Sequence, residues 1–265
     1  MKYAFIGGGN MGRALAAALI GKGVCLGGEI LVVDPDAAAR ERNEVLGCVV
    51  AERADERVSE TPVVVLAVKP QSSAEAFAQL KGLLTPSQVV VSIMAGVPLG
   101  RLSEGLGHQA LVRVMPNTPA QVGLGMNVYT AAPTVNAGAL RAVEALLQAS
   151  GETLAVGDED AIDAATAISG SGPAYVFYVA EHWMNAALKL GFTPEQAAQL
   201  VQQTLIGATA LWKESRLPAA TLREQVTSKG GTTAAALEHF EQRAVGASFE
   251  GGLERAYQRA KELGR

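Results

Sequence analysis

Short runs of consecutive apolar residues alternate with helix-period stretches through the N-terminal half of the chain. The runs Tyr3–Ile6, Ile30–Val33, 63–68, 89–93 and 111–114 predict strands, and 152–156 predicts a last short one. Between them, 11–20, 37–46, 72–80, 99–104 and 134–148 repeat apolar positions at helical spacing and predict helices. Continuous Val/Ile/Leu strands separated by helices mark a mostly parallel sheet covered on both faces. Past Asp158 the strand-like runs stop. Helical patterns take over at 174–190, 194–212, Ala219–Gln225, Thr232–Gln242 and 249–263. Several carry start or stop signals. Ser171-Gly172-Pro173 opens the first and Gly191 ends it, while Thr193-Pro194-Glu195-Gln196 supplies a hydroxyl cap, an early proline and a polar residue three positions on. The pattern predicts two domains: an α/β domain over 1–157 and an all-helical domain over 158–265. A chain of 265 residues is long enough for both.

Composition narrows the function classes. A formal charge of −4 gives no general attraction for nucleic acid or an anionic membrane, so neither is expected as a partner. Cys25 and Cys48 are too few for a disulfide framework and lack metal-ligand spacing, and His108, His182 and His239 are scattered. No metal is expected, and reduced thiols in a cytoplasmic protein are. The first six residues run into Gly7 as a buried strand rather than a leader, and no apolar run is long enough to span a bilayer.

Gly7-Gly8-Gly9-Asn10-Met11-Gly12 follows the first strand and opens the first helix, the setting in which a G-x-G-x-x-G pattern binds a dinucleotide. Gly7 permits the turn, Gly9 admits a pyrophosphate to the backbone, and Gly12 lets helix pack on strand. The α/β domain is therefore Rossmann-type. Asp34, 22 positions beyond Gly12, ends the second strand. An acid there accepts from the adenosine ribose and repels a 2′-phosphate, which leans towards NAD. Arg40 and Arg42 follow closely enough to offset that repulsion in part, so NADPH and NADH both stay open. Ala67-Val68-Lys69-Pro70 and Met115-Pro116-Asn117-Thr118-Pro119 also leave carboxyl ends of strands, where an open parallel sheet binds its ligands. Lys69 is a candidate for cofactor contact, and Asn117 offers donors and acceptors near the expected nicotinamide.

A second glycine-rich segment, Thr227-Ser228-Lys229-Gly230-Gly231-Thr232-Thr233, leads into a helix in the second domain. Its hydroxyls and the free N–H groups of a helix start suit a small carboxylate, or simply an N-cap. No Ser-His-Asp set, paired carboxylates or strand-end histidine is apparent. Reducing C=O needs a proton donated as the alkoxide forms, whereas a protonated imine needs hydride and groups that hold it. The absence of an obvious acid tilts the reading towards C=N reduction.

Taken together, Phe5 to Gly12, Ala67-Val68-Lys69-Pro70-Gln71, Arg113 to Pro119, Ser169-Gly170-Ser171-Gly172-Pro173-Ala174-Tyr175 and Val226 to Thr233 resemble the pyrroline-5-carboxylate reductases, in order and over essentially the whole chain. The resemblance implies reduction of L-1-pyrroline-5-carboxylate to L-proline with NADPH or NADH. It also implies a helical dimerisation domain, with assembly as a homodimer or ring of dimers. By position, Gly231 and Thr232 then offer backbone N–H groups to the substrate carboxylate, with Ser228 and Gly230 in the same pocket, and the Thr233 hydroxyl is the catalytic group facing the ring nitrogen. Cofactor contacts fall on Gly7, Gly9, Asn10, Met11, Gly12, Asp34, Ala67, Val68, Lys69, Pro70 and Asn117.

Two departures stand out. Lys229 replaces the proline usual in the family's Ser-Pro-Gly-Gly turn, and Asp34-Pro35 replaces the small polar residue and arginine that favour NADPH in many bacterial members. Two alternative readings make different demands on the chain. A β-hydroxyacid dehydrogenase places a lysine four positions after the second glycine of its Gly-x-Gly, where this chain has Val176, with no lysine before Lys189. A non-catalytic nucleotide-binding protein has no need of Ser228, Thr232 and Thr233, all present here.

Overall fold

The computed structural model describes residues 1–264. The chain divides into two compact units, one of Met1–Pro173 with the chain from Arg255 on, the other of Ala174–Glu254. The first unit runs β1 (Tyr3–Ile6), α1 (Asn10–Gly21), β2 (Ile30–Val33), α2 (Ala37–Glu44), β3 (Val49–Ala51), β4 (Val63–Leu66), α3 (Ser73–Leu80), β5 (Val89–Ser92), α4 (Leu99–Leu106), β6 (Leu111–Met115), β7 (Gly125–Ala131), α5 (Ala137–Ser150), β8 (Gly151–Ala155) and α6 (Glu159–Ala165).

Its strands form one sheet in the order β3-β2-β1-β4-β5-β6-β7-β8. The first six are mutually parallel; β7 turns antiparallel to β6, and β8 follows β7. The alternation of β1 explains the two-sided core. Tyr3 and Phe5 join Leu15, Leu19, Val143 and Leu147 from α1 and α5, while Ala4 and Ile6 join Phe77, Leu80, Leu102 and Leu106 from α3 and α4.

Register then fixes the ligand edge. Ile6 pairs with both Val33 and Leu66, so β1, β2 and β4 end level. The Gly7 N–H donates to the Val33 carbonyl (2.8 Å) and the Ala67 N–H to the Ile6 carbonyl (2.8 Å), tying the loops that follow to that edge. The order reverses between β1 and β4, which is the switch point where such sheets open a crevice.

The predicted strands all form, and three elements were not foreseen. β3 is three half-buried residues at the sheet edge, too short for a period to register. β7 carries a buried Asn127 and Thr130, which interrupt its apolar run. α6 was also unforeseen; Asp158 caps it, accepting from the Ala161 N–H.

The second unit is helical: α7 (Gly172–Lys189), α8 (Pro194–Ser215), α9 (Ala219–Gln225), α10 (Thr232–Gln242) and α11 (Val245–Leu263), with the ends of α7 and α11 lying in the first unit. The Thr193 hydroxyl caps α8, with Gln196 closing the reciprocal bond to the Thr193 N–H. Among the described residues of this unit only Ala187, Ala197 and Val201 are buried, whereas Phe177, Tyr178, Trp183, Leu190, Ile206 and Trp212 lie exposed. So small a core does not stabilise a unit of this size by itself, and so much exposed apolar surface marks a face made for another chain. Within the first unit, the end of α11 packs back: Ala260 is buried, and Gly96 (φ +71°) lies so close to Leu263 that a Cβ there would stand 2.9 Å from its carbonyl oxygen.

Candidate functional site

The glycine loop after β1 is shaped by what each glycine leaves out. Gly7 adopts φ +107°, and a Cβ on it would stand 2.6 Å from the Ala67 carbonyl oxygen. A Cβ on Gly12 would collide with the Gly7 carbonyl, and one on Gly8 would press into Val32 Cγ1 (2.7 Å) and Asn43 Nδ2 (2.8 Å). Gly9 differs: nothing lies within 4 Å of where its Cβ would be. It caps α1 with no side-chain bond, so the N–H groups of the first turn, at Asn10, Met11 and Gly12, have no capping side chain. Three glycines are forced by close packing and one fronts open space at the positive end of a helix. That cradle fits a pyrophosphate.

Beside it lies a cleft of about 230 Å³ walled by Gly7, Gly9, Asp34, Ala67, Val68 and Lys69, with Pro35, Ser72 and Glu75 among the remaining residues. Sequence residues far apart in the chain thus meet at one place. Asn10, Met11 and Gly12 belong to the adjoining first turn of α1, and Pro70 opens a short 3-10 turn after Lys69. Asp34 is half-buried and held by both oxygens. The Gly8 N–H donates to Oδ2 (2.7 Å) and the Asp36 N–H to Oδ1 (2.9 Å). Arg40 donates through Nη1 to the carbonyls of Asp34 (2.8 Å) and Pro35 (2.9 Å).

Asn43 was not foreseen. Fully buried on α2, it donates through Nδ2 to the Gly8 carbonyl (2.9 Å) and the Ala39 carbonyl (2.8 Å). Gly8 is thus gripped at its N–H by Asp34 and at its carbonyl by Asn43. No local signal separates Asn43 from a surface asparagine of a polar helix.

Asn117 lies elsewhere in the unit, away from the cleft walls. Its Nδ2 donates to the Ser169 carbonyl (3.0 Å) and its Oδ1 accepts from the Met126 N–H (2.9 Å), so the side chain latches the loop after β6 to β7 and to the π-turn ahead of α7. In the same region Gly170 abuts Met115, where a Cβ would meet Cε at 2.6 Å. Arg113, also unforeseen, is buried in β6 and pairs with Glu159 (3.0 Å) and Asp163 (2.6 Å) of α6.

In the second unit the segment 228–231 forms a tight turn. The Gly231 N–H donates to the Ser228 carbonyl (3.0 Å), and Gly230 holds φ +73°. Lys229 occupies the position of that turn where proline is favoured. A Cβ on Gly231 would fall 2.5 Å from the Ser228 hydroxyl, so this glycine leaves the space that the hydroxyl occupies. Gly231 caps α10 without a side-chain bond, leaving the N–H groups of Thr232, Thr233 and Ala234 with no capping side chain. Ser228 and Thr232 are exposed and Thr233 is half-buried. A turn, three hydroxyls and uncapped donors therefore meet at one helix start, with the Gly231 N–H already engaged.

A family model described as pyrroline-5-carboxylate reductase dimerisation matches residues 159–263. Another, described as NADP oxidoreductase, coenzyme F420-dependent, matches residues 2–96. Pyrroline-5-carboxylate reductase of Pseudomonas aeruginosa is 40% identical over 99% of this chain and 96% of its own length. The chain belongs to the pyrroline-5-carboxylate reductase family. Among solved structures, the family member from Coxiella burnetii is 35% identical, with a TM-score of 0.90 over 100% of this chain and 98% of that one. The Plasmodium falciparum enzyme, solved with NADP bound, is 29% identical with a TM-score of 0.90 over the same shares. The dimerisation model falls on the helices that bury so little by themselves.

Proposed function

We propose that this chain reduces L-1-pyrroline-5-carboxylate to L-proline, the last step of proline synthesis, as a homodimer or ring of dimers in the cytoplasm. The observation that carries this reading is relatedness over the full length to reductases of that name. Bound in the cleft beside the glycine cradle, NADPH or NADH supplies the hydride. The protein's own residues do the rest. Gly7, Gly9 and the first turn of α1, from Asn10 to Gly12, hold the pyrophosphate; Asp34 faces the adenosine ribose; Ala67, Val68, Lys69 and Pro70 line the path towards the nicotinamide. Asn117 supports that end by fixing the loop after β6.

At the start of α10, the N–H groups of Thr232 and Thr233 and the Ser228 hydroxyl receive the substrate carboxylate, and Gly230 and Gly231 shape the turn that brings them together. The Thr233 hydroxyl orients the ring nitrogen, holding a protonated imine with its carbon presented for attack. No acidic side chain is required if the imine binds already protonated. The test follows NADPH and NADH absorbance with pyrroline-5-carboxylate. Turnover with at least one cofactor is expected; well-folded protein inert with both overturns the assignment.

A further inference from the structure

Asp34 can be read beyond its place in the cleft. A carboxylate on a mobile surface side chain swings away when an anion approaches. That of Asp34 has no such freedom, because Oδ2 accepts from the Gly8 N–H (2.7 Å) and Oδ1 from the Asp36 N–H (2.9 Å). Its charge is fixed in the cleft wall, and the ionised residues sharing that wall are Glu75 and Lys69. Two carboxylates thus face one ammonium. Arg40, the nearest candidate to compensate, is not among the walls and rests on the carbonyls of Asp34 and Pro35. Arg42, on the same helix, is exposed, and its carbonyl accepts from Arg13 Nε (3.3 Å).

We infer that Asp34 makes this cleft select the dinucleotide without a 2′-phosphate, so that NADH is the preferred reductant. The physical reason is asymmetric. A fixed carboxylate accepts well from a ribose 2′-hydroxyl, whereas a 2′-phosphate brings about two like charges against an acid that cannot turn aside. Discrimination arises from repulsion of the wrong partner as much as attraction of the right one. Asp34 is also structural, since it holds Gly8 opposite Asn43, so the loop that cradles the pyrophosphate and the group that reads the ribose share one side chain.

The inference rests on the reading of the cleft as the dinucleotide site, and its test is binding rather than turnover. Calorimetric titration of the intact protein with NADH and NADPH, without substrate, is expected to show NADH binding tighter by on the order of tenfold or more. Equal affinity, or tighter NADPH, overturns the inference and leaves the cleft assignment standing; failure of both nucleotides to bind overturns the cleft assignment and the inference with it. Asp34→Asn keeps an oxygen for the Gly8 N–H and removes the charge that accepts from the ribose and repels a 2′-phosphate, so the NADPH-to-NADH affinity ratio should rise by about tenfold. Asp34→Ser removes the acceptor for Gly8 as well and should weaken both nucleotides. An NADPH-to-NADH affinity ratio unchanged in Asp34→Asn overturns the inference. If that variant does not fold, the titration of the unaltered protein still decides it.

Discussion

Thr233 stands in the first turn of α10, half-buried, and its hydroxyl has a role only if a ligand arrives. Thr233→Ala should therefore leave the melting temperature close to that of the parent while lowering kcat/KM by about 10- to 100-fold, the worth of one lost hydrogen bond of about 1–3 kcal/mol. Unchanged kinetics would remove the residue from the reaction. The glycines of the first loop were legible in the sequence because their spacing between a strand and a helix is a recurrent pattern. Asn43 was not, because its task is set by a glycine 35 positions earlier, a partner that only the fold supplies. The thiols show the same dependence on tertiary context. Burial pushes the Cys48 thiol up to about 11, with the nearby Cys25 adding to the shift. The folded state thus keeps a proton that the unfolded chain gives up near its ordinary value of 9.0. Stability from this group is complete below about pH 9 and lost as pH rises towards 11. A thermal-melt series from pH 7 to 11 should fall at the alkaline end, and less steeply in Cys48→Ala.

Elements were read more surely where their pattern is complete within themselves. Strands such as β1 and β2 announced themselves by continuous apolar runs, and α8 by its reciprocal cap. β7 did not, because Asn127 sits fully buried there and its amide N–H groups find partners from elsewhere, donating to the Leu147 carbonyl (3.0 Å) and the Ser150 hydroxyl (3.1 Å). How α6 attaches to the sheet was equally invisible. Arg113 is 3% exposed and donates to Glu159 and Asp163, and Glu159 also accepts from the Leu99 N–H (2.9 Å) at the start of α4. One guanidinium therefore joins β6 and α6, and α4 is tied in through Glu159. Arg113→Met leaves two acids without their cation and should cost about 2–4 kcal/mol, less than for a wholly buried triad because Glu159 is one-third exposed. Chemical denaturation measures this, and an unchanged midpoint would show that the pair carries no net stability.

At the scale of the whole molecule, the second unit explains why the chain associates with itself. Its helices were legible, yet what they pack against was not, since an apolar stripe looks the same whether its partner lies in the same chain or another. Light scattering after size exclusion should give at least twice the chain mass. Trp183→Glu together with Phe177→Glu should shift the protein to smaller or unfolded species, and a well-folded monomer in the unaltered chain would contradict this. The first unit carries its own dependence, in time rather than in space. Its sheet is made early in the sequence, but Gly96 is closed over by Leu263, and Ala260 is buried beside the same stretch. A ribosome making this protein releases every strand of the sheet long before the helix end that packs on Gly96. Synthesis therefore does not finish one domain and then begin the next: the first unit gains the segment from Arg255 on only after Ala174–Glu254, the whole of the second unit, has been made.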